Sequence, residues 1–114
     1  MMIDWKAYRG ELAKRIGEIG HLSPDTVRGY RGLSQAGDKA NLLGVKTREL
    51  IAIAVGVTRQ CDGCIAVHTE AAIKAGATRE EIAEALGVAI AVNAGAALVY
   101  SARVMDALAA TDAV

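Results

Sequence analysis

The reactive chemistry of this chain is concentrated in its cysteines. There are two in 114 residues, and they stand as Cys61-Asp62-Gly63-Cys64, a C-x-x-C. His68, one of two histidines, follows Cys64 by four residues, and Glu49 precedes Cys61 by twelve. A thiol pair, an imidazole and a carboxylate are the parts needed to make and use a thiolate. A free thiol has a pKa of about 8.5, so a drop of about two units makes it mostly thiolate at neutral pH. If Cys61 opens a helix, the helix N-terminus favours an anion, His68 takes the proton and Arg59 adds positive charge nearby. Glu49 then fixes the orientation and protonation of the imidazole, like the third member of a triad.

The spacing also bears on which sulfur attacks. In a helix, Cys61 and Cys64 are i, i+3 neighbours, and Cys64 and His68 are i, i+4 neighbours. A disulfide strained in a regular helix can adjust in the first turn, and Gly63 eases that adjustment. Thioredoxin-like logic favours Cys61, nearer the helix end. The His68 spacing favours Cys64 as attacker and Cys61 as resolver, because a positioned base gives the proton a route. A peroxide would oxidise Cys64 to a sulfenic acid, Cys61 would condense with it, and an external dithiol would reset the pair.

The elements that must hold this cluster read as helices. Residues 4–19 place Trp5, Tyr8, Leu12, Ile16 and Ile19 three and four apart. Ser23-Pro24 is an N-cap with proline at the first helical position, opening a second helix to about Ala36, near Gly37. Residues 38–44 read as a loop. A third helix starts near Lys46 and carries Leu50, Ile51, Ile53, Ala54 and Val57 to a break at Thr58-Arg59-Gln60. The fourth runs from about Cys61 to Gly76, a C-terminal glycine. Thr78-Arg79-Glu80-Glu81 is a capping box for a fifth helix, which Gly95 kinks or ends. A last helix spans about 96–108, and the tail from Ala110 is expected to fray. The expectation is one all-α domain over residues 1–114, with about six helices.

Bulk composition narrows the partners. Apolar residues make up 53% of the chain, only 4% is aromatic, and Phe is absent, so the core must be Ala, Leu, Ile and Val. So much apolar surface on so short a chain calls for a second place to bury it, most simply a subunit interface. The 13 basic and 13 acidic residues balance without a basic run, which argues against nucleic acid. The start of the chain has no signal-peptide pattern, so the cytoplasm is the expected compartment, where a C-x-x-C is more often redox-active or metal-binding than a structural staple. Residues 85–102 are free of charge. Their alanines, glycines, Asn93 and Ser101 point to a core or interface helix instead of a membrane span.

Glu49, Cys61, Cys64 and His68 at these spacings resemble the signature of the alkylhydroperoxidase AhpD-like branch of the carboxymuconolactone decarboxylase family. Lys46-Thr47-Arg48-Glu49-Leu50-Ile51 and Gly76-Ala77-Thr78-Arg79-Glu80-Glu81-Ile82 are similar to that family too, and the likeness covers residues 42–108 as the core. The resemblance implies an all-α fold assembled as trimers or hexamers, and a thiol peroxidase or disulfide reductase in antioxidant defence. It implies that Cys64 is the peroxidatic cysteine, Cys61 its partner, and His68 with Glu49 the proton relay. The decarboxylase branch lacks the cysteine pair. Some peroxidase-active members carry a further histidine just before the second cysteine; Gly63 stands there in this chain, a thinner relay. Residues 1–40 are less similar and are assigned to oligomerisation.

No resident cofactor or metal is expected beyond a redox-active disulfide, with a hydroperoxide and a dithiol or protein reductant as partners. The competing reading is a homo-oligomeric thiol sensor or zinc protein without turnover. Cys61, Cys64 and His68 would then be three zinc ligands, with Glu49 or His21 a fourth. Against it, structural zinc sites usually show a second C-x-x-C or paired histidines, and His21 reads as a solvated turn residue.

Overall fold

The computed structural model describes residues 1–111, and its secondary structure among them is entirely helical. Five helices follow one another: α1 (Trp5–Leu22), α2 (Pro24–Ala40), α3 (Val45–Thr58), α4 (Asp62–Lys74) and α5 (Arg79–Ala109). The last three residues, part of the tail expected to fray, lie outside the described residues.

Local chemistry accounts for most boundaries. Asp4 caps α1 by accepting the Ala7 amide at 3.1 Å. Pro24 opens α2 as expected, but the Ser23 hydroxyl pairs with the Thr26 hydroxyl at 2.7 Å and makes no cap to the backbone. α2 also runs past Gly37 to Ala40, so the expected loop shrinks to residues 41–44. The stop is Asn41, which is left-handed (φ 45°) and returns its N–H to Gly37 O. Arg48 of α3 holds this end by bonding Asp38 at 2.9 Å and Asn41 at 3.0 Å. The Thr78 capping box forms in full, with Glu81 N–H to Thr78 Oγ1 at 3.0 Å and Thr78 N–H to Glu81 Oε1 at 2.9 Å.

The expected fifth and sixth helices are one. α5 continues for 31 residues through Gly95 without a break. A glycine inside a helix costs about 1 kcal/mol relative to alanine. The alanines around it (Ala89, Ala91, Ala94, Ala96, Ala97) are the strongest helix formers, so that cost is absorbed.

α3 is central, packed between α4 and α5, while α1 packs on α2 and on α4. Ile53, Ala72 and Ala77 form the buried centre, with Leu50, Ile82 and Leu86 against it. Lys46 ties the start of α3 to the first turn of α5 through Glu81 at 2.8 Å. Only Ala89 of α5 is buried, and the apolar residues from Leu98 to Leu108 stand exposed. By length and composition this helix could cross a bilayer, although its first half is packed on α3.

The shape reflects this. The radius of gyration is 18.9 Å, against about 13 Å for a globule of this length. The accessible surface is 8893 Å², where a monomer of this mass would show about 5,900 Å². The excess on this one chain exceeds the roughly 800 Å² per partner that a standard-size interface covers.

Candidate active site

The turn between α3 and α4 places the cysteines. α3 ends at Thr58 with Arg59 as its C-cap, and Gln60 takes the left-handed conformation (φ 52°). This reverses the chain so that Gln60 N–H reaches Val57 O at 3.1 Å and Cys61 N–H reaches Gly56 O at 3.0 Å. Cys61 is then the N-cap of α4, where its Sγ accepts the Cys64 amide at 3.1 Å. The pair is joined as a disulfide, with Cα atoms 5.2 Å apart, so the first turn does accommodate the bridge.

Glu49 on α3 and His68 on α4 are brought together by the packing of those two helices. His68 Nδ1 lies 2.6 Å from Glu49 Oε2, with the side chains 28% and 22% exposed. A carboxylate only accepts, so Nδ1 is the donor in this bond; in the neutral imidazole that leaves the lone pair on Nε2, the tautomer a general base needs. His68 stands one turn along α4 from Cys64. Each of the four residues expected at the site thus comes from α3, α4 or the turn between them. His21 does not join them; it is exposed in the last turn of α1. Among the described residues, no three His, Cys, Asp or Glu side chains come together as a metal-binding group.

Three further residues shape the site. Gly56 is buried on α3, and a Cβ there would lie 3.0 Å from Cys64 Cβ, an atom rigidly tied to its backbone. Its glycine therefore sets how closely α3 and α4 approach. At Gly63 an added Cβ would lie 2.9 Å from Leu12 Cδ2, so Leu12 of α1 covers the space a side chain there would take. Gln60 is the third, through its backbone. Gly56 is not among the residues expected at the site; the signal that could have found it is an isolated glycine within an apolar helix, which usually has a packing reason. Nothing in the sequence signalled Leu12, because its partner lies 51 residues away.

A groove of about 620 Å³ lies elsewhere. It runs between α1 and α4, lined by Trp5, Arg9, Ile65, Thr69, Ile73 and Lys74. At 3.6 residues per turn, Thr69 and Ile73 project roughly 100–180° around α4 from Cys64 and His68. Arg9 and Glu70 pair across it at 2.7 Å, and Lys74 bonds Glu70 at 2.9 Å. These cations, Lys74 first, hold the Glu70 carboxyl below its usual range. The groove is a helix-packing seam, separate from the thiol chemistry.

Comparison with known proteins places this arrangement. The family model described as the carboxymuconolactone decarboxylase family matches residues 24–111, taking in α2 as well as the expected core. A Haemophilus influenzae protein described as uncharacterized is 46% identical over 107 residues, covering 94% of this chain and 95% of its own length. An uncharacterized protein of Cupriavidus necator is 32% identical over 105 residues, covering 92% and 93%. The crystal structure of apo-lpg0406, a carboxymuconolactone decarboxylase family protein from Legionella pneumophila, superposes with a TM-score of 0.73 at 35% identity. That superposition covers 90% of this chain and 92% of the other.

Proposed function

The chain belongs to the carboxymuconolactone decarboxylase family, and from that footing we propose that it is a thiol-dependent alkyl hydroperoxide reductase and disulfide oxidoreductase of the AhpD-like kind, with an antioxidant role. The observation that carries this reading is the Glu49–His68 hydrogen bond, made by the helices that also position the Cys61–Cys64 disulfide. A structural disulfide has no need of an oriented base one turn away.

In the proposed cycle His68 Nε2 takes the Cys64 proton, with Glu49 holding the other ring nitrogen. The Cys64 thiolate attacks the distal peroxide oxygen, the O–O bond breaks, and the alkoxide leaves with the proton from His68. Cys64 is now a sulfenic acid. The Cys61 sulfur attacks it, water leaves, and the disulfide forms. A dithiol then returns both cysteines to thiols and is itself oxidised. The protein acts in the cytoplasm as a homo-oligomer, whose copies cover the exposed apolar face of α5. Sedimentation should give a mass above the 11.8 kDa of one chain; a monomer at micromolar concentration would remove that part.

Turnover of an alkyl hydroperoxide with a dithiol donor, lost in both Cys64→Ser and Cys61→Ser, tests the enzyme reading. No turnover with any of several dithiol donors would sink it. The competing reading, a thiol sensor without turnover, draws on the groove lying away from the sulfurs. Its zinc-binding version predicts stoichiometric zinc in the reduced, purified protein.

A further inference from the structure

The two sulfurs of the disulfide are not equivalent as leaving groups. Cys61 Sγ sits at the N-terminal end of α4 and accepts a backbone amide, that of Cys64. The first amides of a helix have no partner within it, and their dipoles favour a negative charge at this point. Cys64 lies inside the helix, with its Cβ close to Gly56 of α3. Its nearest proposed stabiliser is His68, and that ring is already bonded to Glu49. A protonated His68 would pair with the Glu49 carboxylate, so the relay adds little net positive charge toward Cys64. Asp62 and Arg59 flank Cys61 with opposite charges, both exposed, and leave the helix end as the source of asymmetry.

We propose that the external reductant opens the disulfide at Cys64 and expels Cys61 as the N-capped thiolate. This rests on the reading of the pair as a centre that turns over, and it gives its reduction an order. The reductant thiolate attacks Cys64 Sγ. The bond between the two cysteine sulfurs breaks and its electron pair goes to Cys61, leaving the reductant joined to Cys64. Thiolates that are better stabilised leave faster, which favours this direction over expulsion of Cys64. The second thiolate of the dithiol then attacks the reductant's own bound sulfur, closing the reductant's disulfide and releasing Cys64. Cys61 takes its proton from solvent and Cys64 takes its proton through His68, matching the two given up by the dithiol. Cys61 thus leaves first in reduction, and in the next oxidation its sulfur attacks the sulfenic acid as its proton departs with the water.

Glutathione, a monothiol, can be used to stop the reaction halfway. The oxidised full-length protein is mixed with glutathione and quenched at short times with excess N-ethylmaleimide, which alkylates whichever cysteine has been expelled together with the remaining glutathione. Tandem mass spectrometry of the tryptic peptide spanning residues 60–74 locates both groups. The expected product carries glutathione on Cys64 and maleimide on Cys61, in about tenfold excess over the reverse, as leaving-group control of exchange requires. In His68→Ala the partition should hold while dithiol release of Cys64 slows, a split that a merely structural histidine would not give. Equal labelling, or glutathione mainly on Cys61, overturns the order of reduction and leaves the peroxidase reading standing. A disulfide that neither glutathione nor dithiothreitol opens overturns both.

Discussion

Two turns of the molecule share one backbone design and carry different loads. α3 closes with Gln60 left-handed at φ 52°, and α4 closes with Gly76 left-handed at φ 93°. Each turn makes the same two bonds. Cys61 and Gln60 return to Gly56 and Val57 at 3.0 and 3.1 Å, and Ala77 and Gly76 return to Ala72 and Ile73 at 2.9 and 3.0 Å. This is the Schellman closure. The second turn uses glycine and divides its labour: Ala77 closes α4 and is buried, and Thr78 then caps α5. The first turn has no residue to spare, so Cys61 both closes α3 and caps α4. A left-handed L-residue costs about 1–2 kcal/mol, so stability alone would select glycine at position 60. The turn built for stability thus spreads its tasks, and the turn that holds the sulfurs concentrates them on one cysteine beside a strained neighbour.

The contrast can be broken in several ways. The largest effect should come from His68→Ala, which leaves both turns intact. Peroxide turnover should fall by about 100-fold or more, the usual worth of a positioned base, with little change in Tm. An equal loss of Tm would mean that the pair with Glu49 is structural. Gly56→Val comes next, because it forces α3 away from Cys64 where no flexible atom can yield. It should cost about 1–3 kcal/mol by overpacking, read from urea denaturation of the oxidised protein. An unchanged midpoint would show that the two helices can separate freely.

Smaller changes sharpen the comparison. Gly76→Ala puts a side chain at φ 93° and should cost about 1–2 kcal/mol. The activity of the folded fraction should hold, since this turn carries no chemistry. Gln60→Gly should act in the opposite sense, stabilising by less than about 1 kcal/mol once the extra freedom of the unfolded glycine is counted. Destabilisation there would show that the Gln60 side chain makes a contact of its own. The weakest effect is on pH. The Lys46 hydrogen bond, then the Thr78 amide, holds the Glu81 carboxyl below its ordinary 4.5. A depressed carboxyl contributes stability above its unfolded value and loses it as pH falls through the folded one. Tm should therefore begin to drop below about pH 4.5, and by less in Lys46→Met; an identical acid profile in the two proteins would dismiss this tie.

The sequence was most legible where one short segment holds all the information. Cys61, Cys64 and the Thr78 capping box depend on residues three apart, and the left-handed end at Gly76 depends on one glycine. Glu49 and His68 were legible as chemistry, but their hydrogen bond exists only because α3 packs on α4. The continuity of α5 through Gly95 was hidden, because the breaking tendency of one glycine was weighed without the summed propensity of its alanines. The extension of α2 to Ala40 was hidden for a different reason: its stop comes from Asn41 and from Arg48 on the next helix. The break at Thr58-Arg59-Gln60 was legible, but the left-handed backbone at Gln60 was not, since glutamine is not a residue expected in that region.

The contact between Leu12 and Gly63 makes these two positions a single unit of volume shared by distant parts of the chain. The obstacle at Gly63 is the far end of a leucine side chain, which can rotate away, and not a backbone atom. A histidine at 63 would therefore be admitted or refused by residue 12. Installed alone it would press on α1, whereas together with Leu12→Ala it would find a vacancy of roughly its own kind. The two substitutions should be non-additive, as neighbours in contact are. The α4 side of the proposed proton relay is in this sense set from the first helix.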